Sequence, residues 1–334
     1  MKFPRSMFVT AGCFALALAT AGPLGACAYN PTTGKNQFVG MTQEQEVAAG
    51  LSAKPQITEE FGGEVPDAEL RKYVDTIGRT LLPFTAENTA KGSADYASLP
   101  WEFTFLNSDV INAFALPGGK VFITRGLASR LTNEAQMAGV IGHEMGHVTA
   151  RHGAQRVAKN AFAQGVLELG GMATDSEEIQ QLGSVVADLT LKGYSREEEN
   201  EADSLGIRYM VRAGYNPMGQ VQVMKILAEA SGPSAGGLAE WTATHPDPLN
   251  RVKRLQAEIA TSYPYTQTDK KYQFHEQRFQ TQFKKRLALL PVPPQTIANS
   301  PTVAFRLDQP ATWCGHCAAA AIEGKSPVSP SAGQ

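Results

Sequence analysis

The chain has 334 residues, 43% hydrophobic and 19% charged, enough to bury a sizeable core in one large domain or two ordinary ones. A formal charge of −2 and a pI of about 6.3 leave no basic field for nucleic acid and point to no polyanionic partner.

In chain order, Lys2 and Arg5 precede an uncharged stretch from Ser6 to Tyr29 with an Ala/Leu-rich middle, Phe14 to Ala21. Basic, then apolar, then small residues make a secretory signal, here predicted over 1–26. It ends in Leu24-Gly25-Ala26-Cys27, which resembles the bacterial lipobox, whose cysteine becomes the lipidated N-terminus. Ala26-Cys27-Ala28 also fits a plain A-x-A cleavage pattern, so simple secretion stays open. Ala28, where an Asp would favour the inner membrane, directs the lipobox reading to the outer membrane. No later apolar run is long enough to cross a bilayer.

Residues 27–60 are expected to be a tether and a first helix. The turn-rich stretch 28–40 is the tether and Thr42 to Leu51 has the helical pattern. A second helix is predicted over Asp67 to Leu82. Trp101 to Leu106 alternates with period two, a half-buried strand. Val110 to Leu116 and Lys120 to Thr124 are further strand candidates, joined by Pro117-Gly118-Gly119. From Asn133 to about Ile259 the pattern is mostly helical. The order is α+β: a mostly helical body, residues 61–260, with a small antiparallel sheet. Beyond it, 261–334 should hold one more amphipathic helix (Tyr272 to Leu290) and a disordered Pro/Ser-rich tail. No internal repeat is found, and no 34-residue helical period.

The chemistry centres on His143-Glu144-Met145-Gly146-His147. Asn133 can cap the helix that carries it, with Gln136 in capping-box position. Residues four apart share a helix face roughly 5–6 Å apart, so both imidazoles can meet one tetrahedral ion. Glu144 then lies beside the metal, placed to take a proton from the attacking water.

A third ligand should come from Tyr194-Ser195-Arg196-Glu197-Glu198-Glu199-Asn200-Glu201-Ala202-Asp203. Positions 197, 201, 204 and 208 form a wholly polar stripe that faces solvent. Positions 199, 202, 203, 206 and 210 are small or apolar apart from Glu199 and Asp203. An inward carboxylate pair needs a cation or donors. Glu199 is therefore the preferred ligand, and Asp203 the acceptor for a ligand histidine's other N–H. Periodicity does not exclude Glu198. His152 lies too far along the same helix to join the pair and is assigned a structural role, while His275 carries no signal. Trp313-Cys314-Gly315-His316-Cys317 looks like a thioredoxin pentapeptide but lacks the βαβ setting that lowers a thiol pKa, which favours a local disulfide or an inert tail.

HEMGHVTARH, GYSREEENEAD and THPDPLNR together resemble the M48 family of gluzincin metallopeptidases, in its periplasmic, lipoprotein-like bacterial branch. The similarity runs from about Asn30 to about Ile259 and includes PTTGKNQ and NAFALPGGKVFITRGL. The resemblance implies a zincin-type fold with its sheet beside the HExxH helix. It also implies one Zn2+ held by His143, His147 and Glu199, Glu144 as general base, and Asn112-Ala113-Phe114 as a strand that pairs with extended substrate. His245, in Thr244-His245-Pro246, matches a position that can approach the zinc as an inhibitory fourth ligand. The alternative for it is a turn histidine packed on Arg251 or an acidic neighbour.

The expected function is zinc-dependent endopeptidase action on misfolded or unassembled envelope polypeptides, at the outer membrane through a lipid on Cys27. The rival is a non-proteolytic assembly factor or chaperone with a latched zinc.

Overall fold

The computed structural model describes residues 26–85, 96–163, 176–230 and 244–293. Residues 1–25 of the expected signal, and the expected Pro/Ser-rich tail with the Cys314/Cys317 motif, lie outside them.

The fold is α+β and mostly helical. It opens with a β-hairpin, β1 (Ala26–Asn30) and β2 (Lys35–Val39), followed by α1 (Gln43–Glu60) and α2 (Ala68–Leu81). Strands β3 (Glu102–Leu106), β4 (Ala113–Leu116) and β5 (Lys120–Thr124) form the sheet. After a short α3 (Arg125–Ala128) come α4 (Glu134–Thr149), α5 (His152–Ala163), α6 (Ser176–Thr190), α7 (Arg196–Arg212), α8 (Met218–Ala230) and α9 (Pro248–Ser262). The last helix joins Glu276–Arg278, a π-helical Phe279–Lys284 and Lys285–Leu287.

The predicted antiparallel sheet is mixed. Its order is β3-β5-β4, with β5 antiparallel to β4 and parallel to β3. The tight Pro117-Gly118-Gly119 turn makes the β4–β5 hairpin. Gly118 and Gly119 sit at φ +74° and +84°, where a side chain is strained. The chain leaves β3 through residues 107–112 and slots β5 between its two partners, so β4 becomes an edge strand.

The strands are buried on both faces, not one. Phe103, Phe105, Ala113, Ala115, Val121 and Ile123 point into the main core with residues of α2 and α4. Leu106, Phe114, Leu116 and Phe122 point the other way, into a second cluster with α1 and α6. Period-two alternation thus sorts two cores rather than core from solvent.

The expected tether is also ordered. Residues 26–39 pair as β1 and β2, and the hairpin docks on the C-terminal end of α4. Asn30 Nδ2 donates to Thr149 O at 2.8 Å and Gln37 Nε2 to Ala150 O at 3.0 Å. A helix end leaves carbonyls without intrahelical partners, and these polar side chains supply them. A turn-rich composition reads as a linker because it cannot reveal such a partner.

Candidate functional site

Helix α4 starts where its cap predicts: Asn133 accepts from Gln136 N at 3.0 Å. Every residue of the helix is buried. Helix α7 starts at a complete capping box, Ser195 with Glu198. That box, together with Lys159 on Glu198, uses up the glutamate that periodicity left open and leaves Glu199 to turn inward.

The two helices cross almost backbone to backbone. A Cβ at Gly146 would lie 2.7 Å from Ala202 O, and one at Gly206 would lie 2.9 Å from His143 N. This close crossing brings Glu199 against both histidines of α4.

His143, His147, Glu199 and His245 converge, with one donor atom from each lying within 4.8 Å of the others. The Nε2 atoms of His143 and His147 are 3.1 Å apart, and His245 Nδ1 is 3.3 Å from His143 Nε2. Glu199 Oε1 is 3.0 Å from His245 Nδ1 and 3.3 Å from His147 Nε2. All four side chains are essentially excluded from solvent.

A hydrogen-bond partner fixes the tautomer of His143. Asp203 Oδ1 stands 3.0 Å from His143 Nδ1 and can only accept, so the proton is on Nδ1 and the Nε2 lone pair faces the cluster. Both nitrogens of His245 face acceptors, Nε2 the Ala113 O at 3.3 Å and Nδ1 the Glu199 carboxylate at 3.0 Å. Converging lone pairs beside a carboxylate repel one another unless a cation lies between them. Imidazoles and one carboxylate are the donors zinc takes, so the residues fit that ion.

The charge balance agrees. Burial works against protonation of His143, but Glu199's charge and the bond to Asp203 outweigh it and raise its pKa to about 9. A metal ion held there would take the place of that proton. Burial pushes His147 well below the ordinary histidine value, the neutral form a ligand needs.

Glu144 lies beside the cluster. It is fully buried, and neither carboxylate oxygen has a hydrogen-bond partner among the described residues. Its closest ionisable contact is His245 Nε2, at 3.6 Å from Oε1. Burial raises its pKa above the usual carboxylate value.

Asp203 is placed as the sequence implied, and its support was not foreseen. It accepts from Gln220 at 2.7 Å and from Arg251 through Nε and Nη2 at 2.9 and 2.7 Å. Burial alone would raise Asp203, but Arg251 outweighs it and holds the carboxyl well below its usual range. Arg251 also reaches Glu199 Oε2 at 2.5 Å, so one buried guanidinium ties both carboxylates of α7. In the sequence it entered only as the arginine ending THPDPLNR and as an alternative packing partner for His245.

Tyr194, just before the Ser195 cap, stacks on His147 with centroids 3.8 Å apart. Its backbone N donates to Thr244 O at 3.0 Å, which holds the His245 segment against the start of α7.

Two expectations change. His152 is not remote: its Nδ1 lies 2.9 Å from His147 Nδ1. Helix α4 ends at Thr149, and Arg151 at φ +58° turns the chain so that His152 folds back. Glu201, expected in solvent, is 18% exposed and binds His152 Nε2 at 3.1 Å. The hairpin residue Lys35 covers its other oxygen at 2.6 Å.

Of the expected substrate strand, Ala113 turns its carbonyl to His245. Phe114 packs its ring on Phe61 and Phe122, and Asn112 is buried just before β4. Cys27 lies opposite Phe38 in the hairpin register.

Comparison with known proteins agrees with this geometry. The chain is 34% identical to the mitochondrial metalloendopeptidase OMA1 of Arabidopsis thaliana over 158 residues, 47% of this chain and 31% of that protein. It is 28% identical to the OMA1 of Schizosaccharomyces pombe over 232 residues, 68% of this chain and 65% of that one. With the beta-barrel assembly-enhancing protease of Yersinia pestis it shares 28% identity over 270 residues, 78% and 53% of the two chains. The chain thus spans less than two thirds of the length of each of these relatives. The profile of Peptidase family M48 matches residues 84–259, more than half of the sequence and the whole of the site, and the chain belongs to that family.

Proposed function

We propose that this chain is a zinc-dependent endopeptidase of the bacterial cell envelope. The observation that carries the reading is Glu144, a buried carboxylate without donors beside a cluster of zinc-type ligands. A structural metal site has no use for such a group, and a peptidase needs one. His143, His147 and Glu199 would hold the ion, with Asp203 and Arg251 orienting His143 and Glu199. Bound there, zinc supplies a Lewis acid that polarises a peptide carbonyl and acidifies a water. Glu144 accepts the proton of the attacking water and hands it to the departing amine. A carboxylate whose pKa is raised by burial suits both steps.

Extended substrate would pair with the edge strand at Asn112, Ala113 and Phe114, so that main chain is recognised more than side chains. His245 covers that approach. Its Nε2 holds Ala113 O while its Nδ1 faces the ligands, so one imidazole blocks both the fourth metal position and the strand.

The substrates we assign are misfolded or unassembled envelope polypeptides, including outer-membrane proteins. The names of the assembly-enhancing relatives and the secretory N-terminus support this. The lipobox-like Leu24-Gly25-Ala26-Cys27 supports an outer-membrane lipid anchor on Cys27. The hairpin carrying that cysteine leaves Tyr29 and Phe38 exposed by 62% and 44%, as residues meeting a membrane surface would be. No helix among the described residues is long and apolar enough to cross a membrane.

The deciding experiment uses Glu144→Gln and an unfolded outer-membrane protein. The variant should keep its zinc and lose turnover by roughly 10²–10⁴-fold. Turnover equal to the parent's would remove Glu144 as the base, and no cleavage by the parent in any state would leave a non-proteolytic assembly factor as the better account.

A further inference from the structure

The two ligand histidines of α4 are held in different ways. His143 leans directly on a carboxylate, Asp203. His147 leans on another imidazole, His152, whose own Nε2 reaches Glu201. Two ring nitrogens 2.9 Å apart must share one proton, and which ring carries it decides whether His147 can bind a metal at all. If the proton were on His152 Nδ1, His147 would carry its own proton on Nε2, pointing into the cluster. With a metal ion bound that N–H would meet a cation, and His152 Nε2 would turn a lone pair on the Glu201 carboxylate, so both contacts would be repulsive.

Glu201 breaks the tie. It accepts only, so His152 carries its proton on Nε2 and has a bare Nδ1. That nitrogen accepts the Nδ1–H of His147, and the Nε2 lone pair of His147 is left facing His143, Glu199 and His245.

We propose that His152 is a positioning residue of the metal centre, oriented by Glu201 so that it fixes His147 in the tautomer that ligates. This rests on the reading of His147 as a zinc ligand. The surrounding structure is built to hold the arrangement. Arg151 keeps its left-handed φ because Glu46 binds its Nε at 3.0 Å and Met41 O takes its Nη2 at 2.6 Å. Tyr194, stacked on His147, fixes the plane of the ring that donates. Lys35 holds the far oxygen of Glu201, so the hairpin ahead of α1 is the outermost link of a chain of contacts ending at the ligand.

The test reads the hydrogen positions and the metal, not turnover. With histidine-labelled, zinc-loaded full-length chain, ring ¹⁵N shifts should give His147 as the Nδ1–H form and His152 as the Nε2–H form. His152→Phe keeps the ring volume and removes the acceptor. It should weaken zinc in chelator competition by about 10–100-fold, the range for lost outer partners of metal-bound histidines. His152→Asn, whose amide oxygen can stand in for Nδ1, should restore most of that loss, which a purely space-filling role would not. An Nδ1–H form of His152 in the parent chain, or parental zinc affinity in His152→Phe, overturns the proposal. If His152→Phe fails to fold, the tautomers of the parent chain still decide. A parent chain that binds no zinc would instead sink the functional reading beneath it.

Discussion

His245 gives a residue-scale prediction because its two nitrogens face two different demands. Nε2 lies 3.3 Å from Ala113 O, and Nδ1 lies within 3.0–3.3 Å of Glu199 and His143. The His245→Ala variant should keep zinc, since three protein ligands suffice for a catalytic site, and should cleave an unfolded polypeptide faster than the parent. Unchanged or lower turnover with zinc retained would show that His245 is not an inhibitory ligand. The residues of this site were unequally legible in the sequence. The i,i+4 spacing pointed to His143 and His147, and the mixed face of α7 favoured Glu199 and Asp203 while leaving Glu198 open; His245 came from the family resemblance alone. Arg251 and His152 were not legible. One comes from a helix 48 residues beyond Asp203. The other depends on a left-handed residue, Arg151, that no periodicity anticipates.

At the scale of elements, the crossing of α4 with α7 decides whether the donors meet. Gly206 touches the backbone of Gly142 and His143, atoms that cannot rotate away as a side chain could. Gly206→Ala must therefore push the helices apart, and overpacking of this kind costs about 1–3 kcal/mol. Glu199 lies two turns earlier on α7, so the displacement reaches the ligand cluster. Zinc affinity should fall together with the unfolding midpoint, measured by chelator competition and by thermal melts. A variant that loses neither would mean that the helices tolerate separation. The sequence marked these elements well where one apolar stripe meets one core. Helix α2 and strand β5 stand within a residue of their expected limits. It misjudged α1, which was expected to end at Leu51 and runs to Glu60 through Pro55. The small stripe of Ala49, Ala53 and Ile57 is buried beside α6, and that packing outweighs the hydrogen bond the proline removes.

The whole molecule extends beyond the family's matched segment. Residues 84–259 include every metal donor, yet Phe279, Phe283 and Leu287 of the last helix lie in the main core. Phe279 and Phe283 stack on each other with centroids 4.9 Å apart, and Phe283 also meets Tyr73 of α2 and Phe105 of β3. Arg278 grips the buried Glu134, the first residue of the helix that carries His143 and His147. Arg125 takes the carbonyls of Leu290 and Pro291 at 3.1 and 2.6 Å. The segment expected as an added helix before a tail is thus a wall of the catalytic domain. Three buried side chains at about 1.5–3 kcal/mol each amount to roughly 5–9 kcal/mol, as much as a typical domain's whole stability. A chain cut after Ser262 should therefore fail to give a cooperative unfolding transition, whereas one cut after Pro293 should melt like the parent. Phe283→Ala, a milder change, should cost about 3–5 kcal/mol in urea unfolding while leaving every donor residue in place. If the chain ending at Ser262 unfolds cooperatively at the parental urea concentration, the C-terminal helix is an accessory to this domain and not part of its core.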